Sequence, residues 1–320
     1  MILYQIKEGE ARILSYRSYD EEADIPSSLG GCPVTELAPY AFSVGYGKEK
    51  MLKEAERTGA VMLWDAWQNS EEPELCGPRL KSIVLPDTLR TIGNYGFYHC
   101  ENLTDITCSS SIEDLGAGLF TGCTRVARIR MRIETGKKSC LKEMLSELRQ
   151  ELCLTYETPE GTAELIFPEY YEDAVENTPA RIIMREVHGS GLGYRYCFLG
   201  TEFRFQEYDS LFPAAKAQET ERLAARMAVR RLRYPLGLQS CYQAAYEAYI
   251  MDQRKLAAAI ALEEQKVEEL TWLVRTYVKT KEELEAVVEL ANRRKDPEAL
   301  SVLMEERHRR FPAKRNSFSL

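Results

Sequence analysis

A 23-residue pattern recurs in the first half of the chain and limits what it can fold into. Leu80, Ile83, Leu85, Leu89, Ile92, Phe97 and Cys100 reappear 23 residues later as Leu103, Ile106, Cys108, Ile112, Leu115, Phe120 and Cys123. A third pass begins at Val126, Ile129 and Met131. Units this short cannot bury an apolar side alone and must stack on their neighbours. The pattern predicts a solenoid, an architecture suited to recognising other macromolecules. It does not say what is recognised.

Each unit opens on L-x-x-I-x-L, turns, and closes on an apolar set ending in Phe. Pro86 lacks an N–H and helps end the first strand. Gly93 is expected to allow a tight bend at positive φ. The stretches LKSIVLPDTLRTIGNYGFYHCENL and LTDITCSSSIEDLGAGLFTGCTRV resemble the BspA-like leucine-rich repeats of bacteria. An earlier, degenerate unit runs from Ile25 through Gly30-Gly31-Cys32-Pro33-Val34 to Phe42, a form common in the first unit of that family. Residues 2–16 alternate apolar and polar on either side of Glu8-Gly9-Glu10, which predicts a β-hairpin capping the open end.

Residues 43–78 depart from the family as an insertion. Met51, Leu52, Ala55, Val61, Leu63, Trp64 and Trp67 have roughly helical spacing between Lys48 and Asn69. Such an insertion either packs Trp64 and Trp67 onto the repeats or protrudes as a recognition element, and loop growth is cheap enough to favour packing.

Side chains alternate along a strand. Ser82 and Val84, Asp105 and Thr107, then Arg128, Arg130 and Arg132 therefore share the outward sheet face, the expected partner-binding surface. Two readings of the arginines stand side by side. They guard an edge strand against unwanted pairing, or they hold an acidic protein through bidentate guanidinium contacts.

Beyond Lys138, Leu141, Met144, Leu145, Leu148 and Leu152 predict a helix over 139–154. Thr158 to Gly161 reads as a turn, and Ala163–Phe167, Arg181–Met184, Tyr194–Phe198 and Phe203–Phe205 read as strands. His188-Gly189-Ser190-Gly191-Leu192-Gly193 is glycine-rich, but an apparent strand follows it and the Lys-Ser/Thr ending of a P-loop is missing. A loop is the expectation. Asp173, Glu176, His188 and Asp209 are the acid/base candidates of an alternative enzymatic or nucleotide-binding middle region around 163–212.

From Tyr208 onward the sequence reads as helices. Thr280-Lys281-Glu282-Glu283 is a capping box, and Asp296-Pro297 is an N-cap followed by Pro at the first helical position. The stretch ELEAVVELANRRKDPEALSVLMEE resembles a degenerate ankyrin unit without the T-P-L-H signature. Two basic clusters, Arg230-Arg231-Leu232-Arg233 and Arg307 to Arg315, suit helix C-termini better than nucleic acid. The net charge of −8 points the same way, since dedicated nucleic-acid binders usually carry a basic excess.

No apolar run reaches membrane-span length. The N-terminal residues lack a secretory signal pattern, which makes a cytoplasmic location the expectation. Nine cysteines without a CxxC pair, and three distant histidines, predict structural thiols and neither a disulfide framework nor a metal or cofactor. The expected fold is α+β: a short leucine-rich-repeat β-solenoid with an N-terminal hairpin cap (1–135), a connecting helix and small β-rich segment (136–212), and an α-helical repeat or bundle (213–320). The expected function is a protein-binding scaffold or adaptor without catalysis, with nucleic-acid binding through the basic helices as a further alternative.

Overall fold

The chain begins with the alternating hairpin. Strand β1 (Ile2–Lys7) pairs antiparallel with β2 (Glu10–Tyr16) around Glu8-Gly9, both at positive φ. Next come β3 (Glu22–Asp24), β4 (Ser28–Leu29) and β5 (Cys32–Leu37), and β5 lies parallel to β2. The computed structural model describes residues 1–58, 61–134, 136–177 and 182–312. They divide into two units, 1–214 with 234–237, and 215–233 with 238–320.

The insertion contains two helices, α1 (Tyr46–Arg57) and α2 (Trp64–Gln68), and between them β6 (Val61–Met62), which pairs antiparallel with β1. It folds back onto the hairpin. Ala55 and Trp67 join Leu3, Leu14 and Ala38 in one buried cluster, with Met51, Leu52 and Trp64 partly covered against it. The Arg17 guanidinium lies 4.6 Å over the Trp67 ring and donates to the Ser70 and Glu72 carbonyls. Packing, the first of the two readings, describes Trp64 and Trp67.

Five strands form the repeat proper: β7 (Ser82–Val84), β8 (Thr91–Ile92), β9 (Asp105–Ser109), β10 (Asp114–Leu115) and β11 (Arg128–Arg132). Two parallel ladders run through them. In one, Ser82 pairs with Asp105 and Asp105 with Arg128; in the other, Thr91 pairs with Asp114. Each step is the 23-residue period read from the sequence. The step from β3 to β7, Glu22 to Ser82, is longer because the insertion lies inside it. All the repeat positions are buried except Leu115, which is half-buried. Phe42, Phe97 and Phe120 stack at 5.7 Å between successive ring centroids, which ties three units along one line.

Gly93 lies outside the left-handed region, contrary to the bend expected there. A Cβ on it would sit 2.4 Å from the Pro39 nitrogen, and one on Gly116 would sit 2.1 Å from the Asn94 nitrogen. Close approach of successive units, and not turn geometry, demands glycine here. The left-handed position falls instead on Tyr95, at φ 56°.

The helix expected over 139–154 is shorter. Helix α3 (Leu141–Glu147) ends before β12 (Leu152–Thr158), which lies parallel to β11 with Arg128 opposite Cys153. Leu148 and Leu152 are four apart and mimic a helical stripe, yet Leu152 and Leu154 alternate inward as a strand does. The open backbone groups of β11 need a partner, and β12 supplies it. A two-residue turn then leads to β13 (Gly161–Phe167), antiparallel to β12, and the six strands run in the order β13-β12-β11-β9-β7-β3.

After β13 come β14 (Tyr171–Asn177) and β15 (Ile182–His188), an antiparallel pair; Arg181, expected to begin this strand, lies outside the described residues. Tyr194–Phe198, expected as a strand, is instead the short helix α4 (Gly191–Arg195) leading to β16 (Phe198–Leu199). The Arg195 guanidinium donates to the Gly191 carbonyl four residues back. Phe203 ends β17 (Glu202–Phe203), while Phe205 already opens α5 (Phe205–Ser210), ahead of α6 (Phe212–Gln218).

The second unit is helical: α7 (Glu221–Arg233), α8 (Ser240–Glu263), α9 (Val267–Tyr277), α10 (Lys281–Arg294) and α11 (Pro297–Arg310). Helix α8 packs on α7, α9 and α10, and α11 packs on α9 and α10. Leu270, Leu273, Leu284, Val287 and Leu303 are buried between them. Both predicted N-caps form: Thr280 accepts from Glu283 N–H with the reciprocal bond present, and Asp296 accepts from Ala299 N–H.

Candidate functional site

The strand register brings the sequence-selected face residues into rows. Ser82, Asp105 and Arg128 are neighbours across the first ladder, as are Val84, Thr107 and Arg130. Their alternation partners Ile83, Ile106 and Ile129 point inward and are buried. Ser82, Asp105 and Thr107 are half-buried, while Val84, Arg128, Arg130 and Arg132 are exposed. Arg132 stands opposite Glu157 of β12.

Two features of this face were not legible from spacing. First, β11 is an interior strand with β9 and β12 on its sides, so edge protection does not explain its arginines. Second, each arginine has a carboxylate. Arg128 grips Asp105 with two bonds, one of them Nη2 to Oδ2 at 2.6 Å. Arg132 Nη2 lies 2.8 Å from Asp87 Oδ1, and Arg130 Nη1 lies 3.4 Å from Glu157 Oε1. Burial alone would raise the Asp105 carboxyl, but hydrogen bonds from Arg128 and Thr104 outweigh it and hold the group below the usual carboxylate range. The face is thus a lattice of alternating charges, with the guanidinium groups pinned in position and more than half of the Arg128 and Arg130 side-chain surface open to solvent (67% and 60%).

The acid/base candidates of the middle segment gather only in part. His188 Nε2 lies 3.5 Å from Asp173 Oδ2 on the β14–β15 hairpin, with both side chains exposed. Asp209 is buried in α5, and the Glu176 side chain lies outside the described residues. The glycine run is filled by the chain itself. A Cβ on Gly189 would meet the Glu169 carbonyl oxygen at 2.5 Å, and one on Gly191 the Pro168 oxygen at 2.0 Å. No phosphate-sized cradle opens at either position.

What this segment does hold is a buried arginine, which the sequence reading missed. The Arg195 guanidinium donates to the carbonyls of Leu148, Gln150, Pro168 and Gly191 at 2.6–2.9 Å and lies 5.0 Å from the Tyr170 ring centre. Burial lowers its pKa to about 10, so it is still charged at neutral pH. It ties the end of α3, the start of β12 and the exit from β13 together.

The basic clusters of the second unit are engaged internally. Arg230 bonds Glu264 and Glu269, Arg233 bonds Glu268, and Arg231 is fully buried. Arg310 caps the carbonyls of Val274 and Val278 at the end of α9, as the helix-dipole reading requires. Ala313, Lys314 and Arg315 lie outside the described residues. Among the described residues, no helix is long and apolar enough to cross a membrane.

The register and the period together define the first unit as carrying a leucine-rich repeat region. The family described as "BspA type Leucine rich repeat region (6 copies)" matches residues 75–149, and this part of the chain is a repeat segment of that type. Among solved structures, a leucine-rich repeat protein of T. pallidum is similar at 19% identity over 42% of this chain and 72% of its own, with a TM-score of 0.23. A leucine-rich cell surface protein of Faecalibacterium prausnitzii A2-165 is similar at 14% identity over 50% of this chain and 41% of its own, with a TM-score of 0.26. No curated protein matches.

Proposed function

We propose that the protein is a non-catalytic docking scaffold whose repeat units form a short β-solenoid and offer their sheet face to a protein partner in the cytoplasm. The observation that carries this reading is the row-by-row register of Ser82–Asp105–Arg128 and Val84–Thr107–Arg130. It supports a rigid surface of fixed side-chain spacing, which lowers the ordering cost of binding. A guanidinium has five donors in a planar fork. Arg128 can keep Asp105 on one edge and still engage an acidic group on the partner. Nine cysteines with no disulfide among the described residues suit a reducing compartment.

The test is capture from cells with the full chain as bait. A specific protein should be enriched, and the enrichment should fall with Arg128→Glu/Arg130→Glu while the thermal unfolding curve is kept. Equal enrichment by both baits would remove this surface from consideration.

A further inference from the structure

The insertion creates a cavity that the repeats alone lack. Helix α1 packs against the outer side of the β1–β2 hairpin and leaves a space of about 840 Å³ beside it. That is within the size of sites that hold small organic ligands. Ile6, Leu14, Pro39, Met51 and Ala55 supply apolar wall, and Leu14 and Ala55 are themselves buried in the protein. Gly47 keeps the space in shape: a Cβ there would strike the Tyr40 ring at 2.5 Å. Met51, with its flexible thioether chain, is the adaptable part of the wall.

The charges around this apolar space are unbalanced. Lys7, Arg12 and Lys50 line it, against the single carboxylate of Glu54. Arg12 is already neutralised by Glu36 at 2.8 Å. Lys7 on the hairpin and Lys50 on α1 form no ion pair among the described residues, and both are exposed. A cavity with an apolar body and two ammonium groups against one carboxylate suits one kind of occupant, an apolar molecule that carries a single negative group.

We propose that the cavity between α1 and the N-terminal hairpin binds a small amphiphilic anion, a carboxylate or sulfonate on an apolar chain or ring system, with its apolar part against Leu14 and Met51 and its charge toward Lys7 and Lys50. This site is independent of the repeat sheet face, and either can fail without the other.

The probe is 8-anilinonaphthalene-1-sulfonate, titrated into the purified full chain and read by fluorescence. Saturable binding at one site is expected, with displacement by decanoate and not by decanol. Lys7→Glu/Lys50→Glu should weaken the probe about tenfold, the effect of losing two exposed charge contacts, and should leave the neutral dye Nile red unchanged. Both lysines are on the surface, and a circular dichroism melt checks that the variant folds. Met51→Trp should compete for the space and lower binding of both dyes. Non-saturable fluorescence, or equal affinity in the wild type and the charge-reversed variant, would overturn the proposal. So would displacement by an acidic apolar peptide and not by decanoate, which would make the space part of a protein-docking surface.

Discussion

The Cys123 thiol donates to the carbonyl of Phe97 at 3.0 Å, and one unit earlier Cys100 donates to the carbonyl of Phe42 at 3.3 Å. The cysteine of each unit thus reaches back to the phenylalanine of the unit before. These bonds run beside the stacked rings of Phe42, Phe97 and Phe120. A small, buried side chain with a weak donor adds a second bond to a carbonyl that already accepts a backbone N–H, from Cys100 at Phe97 and from Gly77 at Phe42.

Cys123→Ala should therefore destabilise the first unit by about 1–2 kcal/mol, through lost volume and a lost donor. Cys123→Val keeps the bulk and Cys123→Ser keeps the donor, so both should fall between alanine and the wild type. Urea unfolding of the four proteins measures this. An alanine variant as stable as the wild type would show that the thiol only fills space that the neighbours can reclaim.

The same burial governs reactivity. Desolvation pushes the Cys140 and Cys197 thiols up to about 12, and raises Cys108 as well. Cys241 is exposed. Alkylation of the native protein at pH 8 should label Cys241 first and leave Cys108, Cys140 and Cys197 unmodified until the chain unfolds. Peptide mass spectrometry reads the order. There is a pH consequence. These thiols stay protonated in the folded state while the unfolded chain ionises near 8.5. Their contribution is complete below that pH and is lost as pH rises toward about 12, with a slope of about 1.4 kcal/mol per pH unit for each thiol. Cys140→Val should flatten the alkaline slope of the stability curve.

Arg195 makes the middle segment sensitive to one side chain. Arg195→Met removes the guanidinium from four carbonyls, most of them buried, and should cost about 3–5 kcal/mol. Lysine cannot reproduce the planar fork and should rescue only in part. Gly191→Ala places a methyl group 2.0 Å from the Pro168 oxygen and 2.8 Å from an Arg195 nitrogen, and should loosen the same knot. Amide exchange at α3 and β12 would report the loss locally. Protection there equal to the wild type would show that the carbonyls find other partners.

The repeat core was legible because its signal is periodic. Two dozen residues of spaced Leu, Ile, Phe and Cys, repeated in phase, fix both register and face, and the register is what the ladders show. The segment after Met131 was harder to read because the period lengthens from 23 to 25 there, and Leu148 and Leu152 fit a helix as well as a strand. Tyr194–Phe198 has strand-like composition, but Arg195 within it bonds the carbonyls of Leu148, Gln150 and Pro168, contacts which no local window contains. On the outward face, the alternation with buried Ile83, Ile106 and Ile129 follows from strand geometry alone. The charge state of the face does not, since the carboxylates that pin Arg130 and Arg132 come from β12 and from the turn after β7.

The Arg128–Asp105 pair separates a binding role for the face from a structural one. Asp105→Asn removes the charge that shares the guanidinium and leaves Arg128 fully exposed to a partner. If Arg128 meets an acidic group on a bound protein, Asp105→Asn should tighten capture, while Arg128→Glu should weaken it. If the pair only rigidifies the sheet, both substitutions act in the same direction. Acidification gives an independent check on sign. The folded carboxyl is held below its ordinary value, so its contribution to stability is present above about pH 4 and is lost as pH falls through the folded value. The pair should persist from pH 7 down to pH 5, and capture by the wild type should not change over that range on its account. Quantitative capture with the three baits at both pH values decides it, and weakening by Asp105→Asn as large as that by Arg128→Glu would remove the shared-guanidinium account of binding.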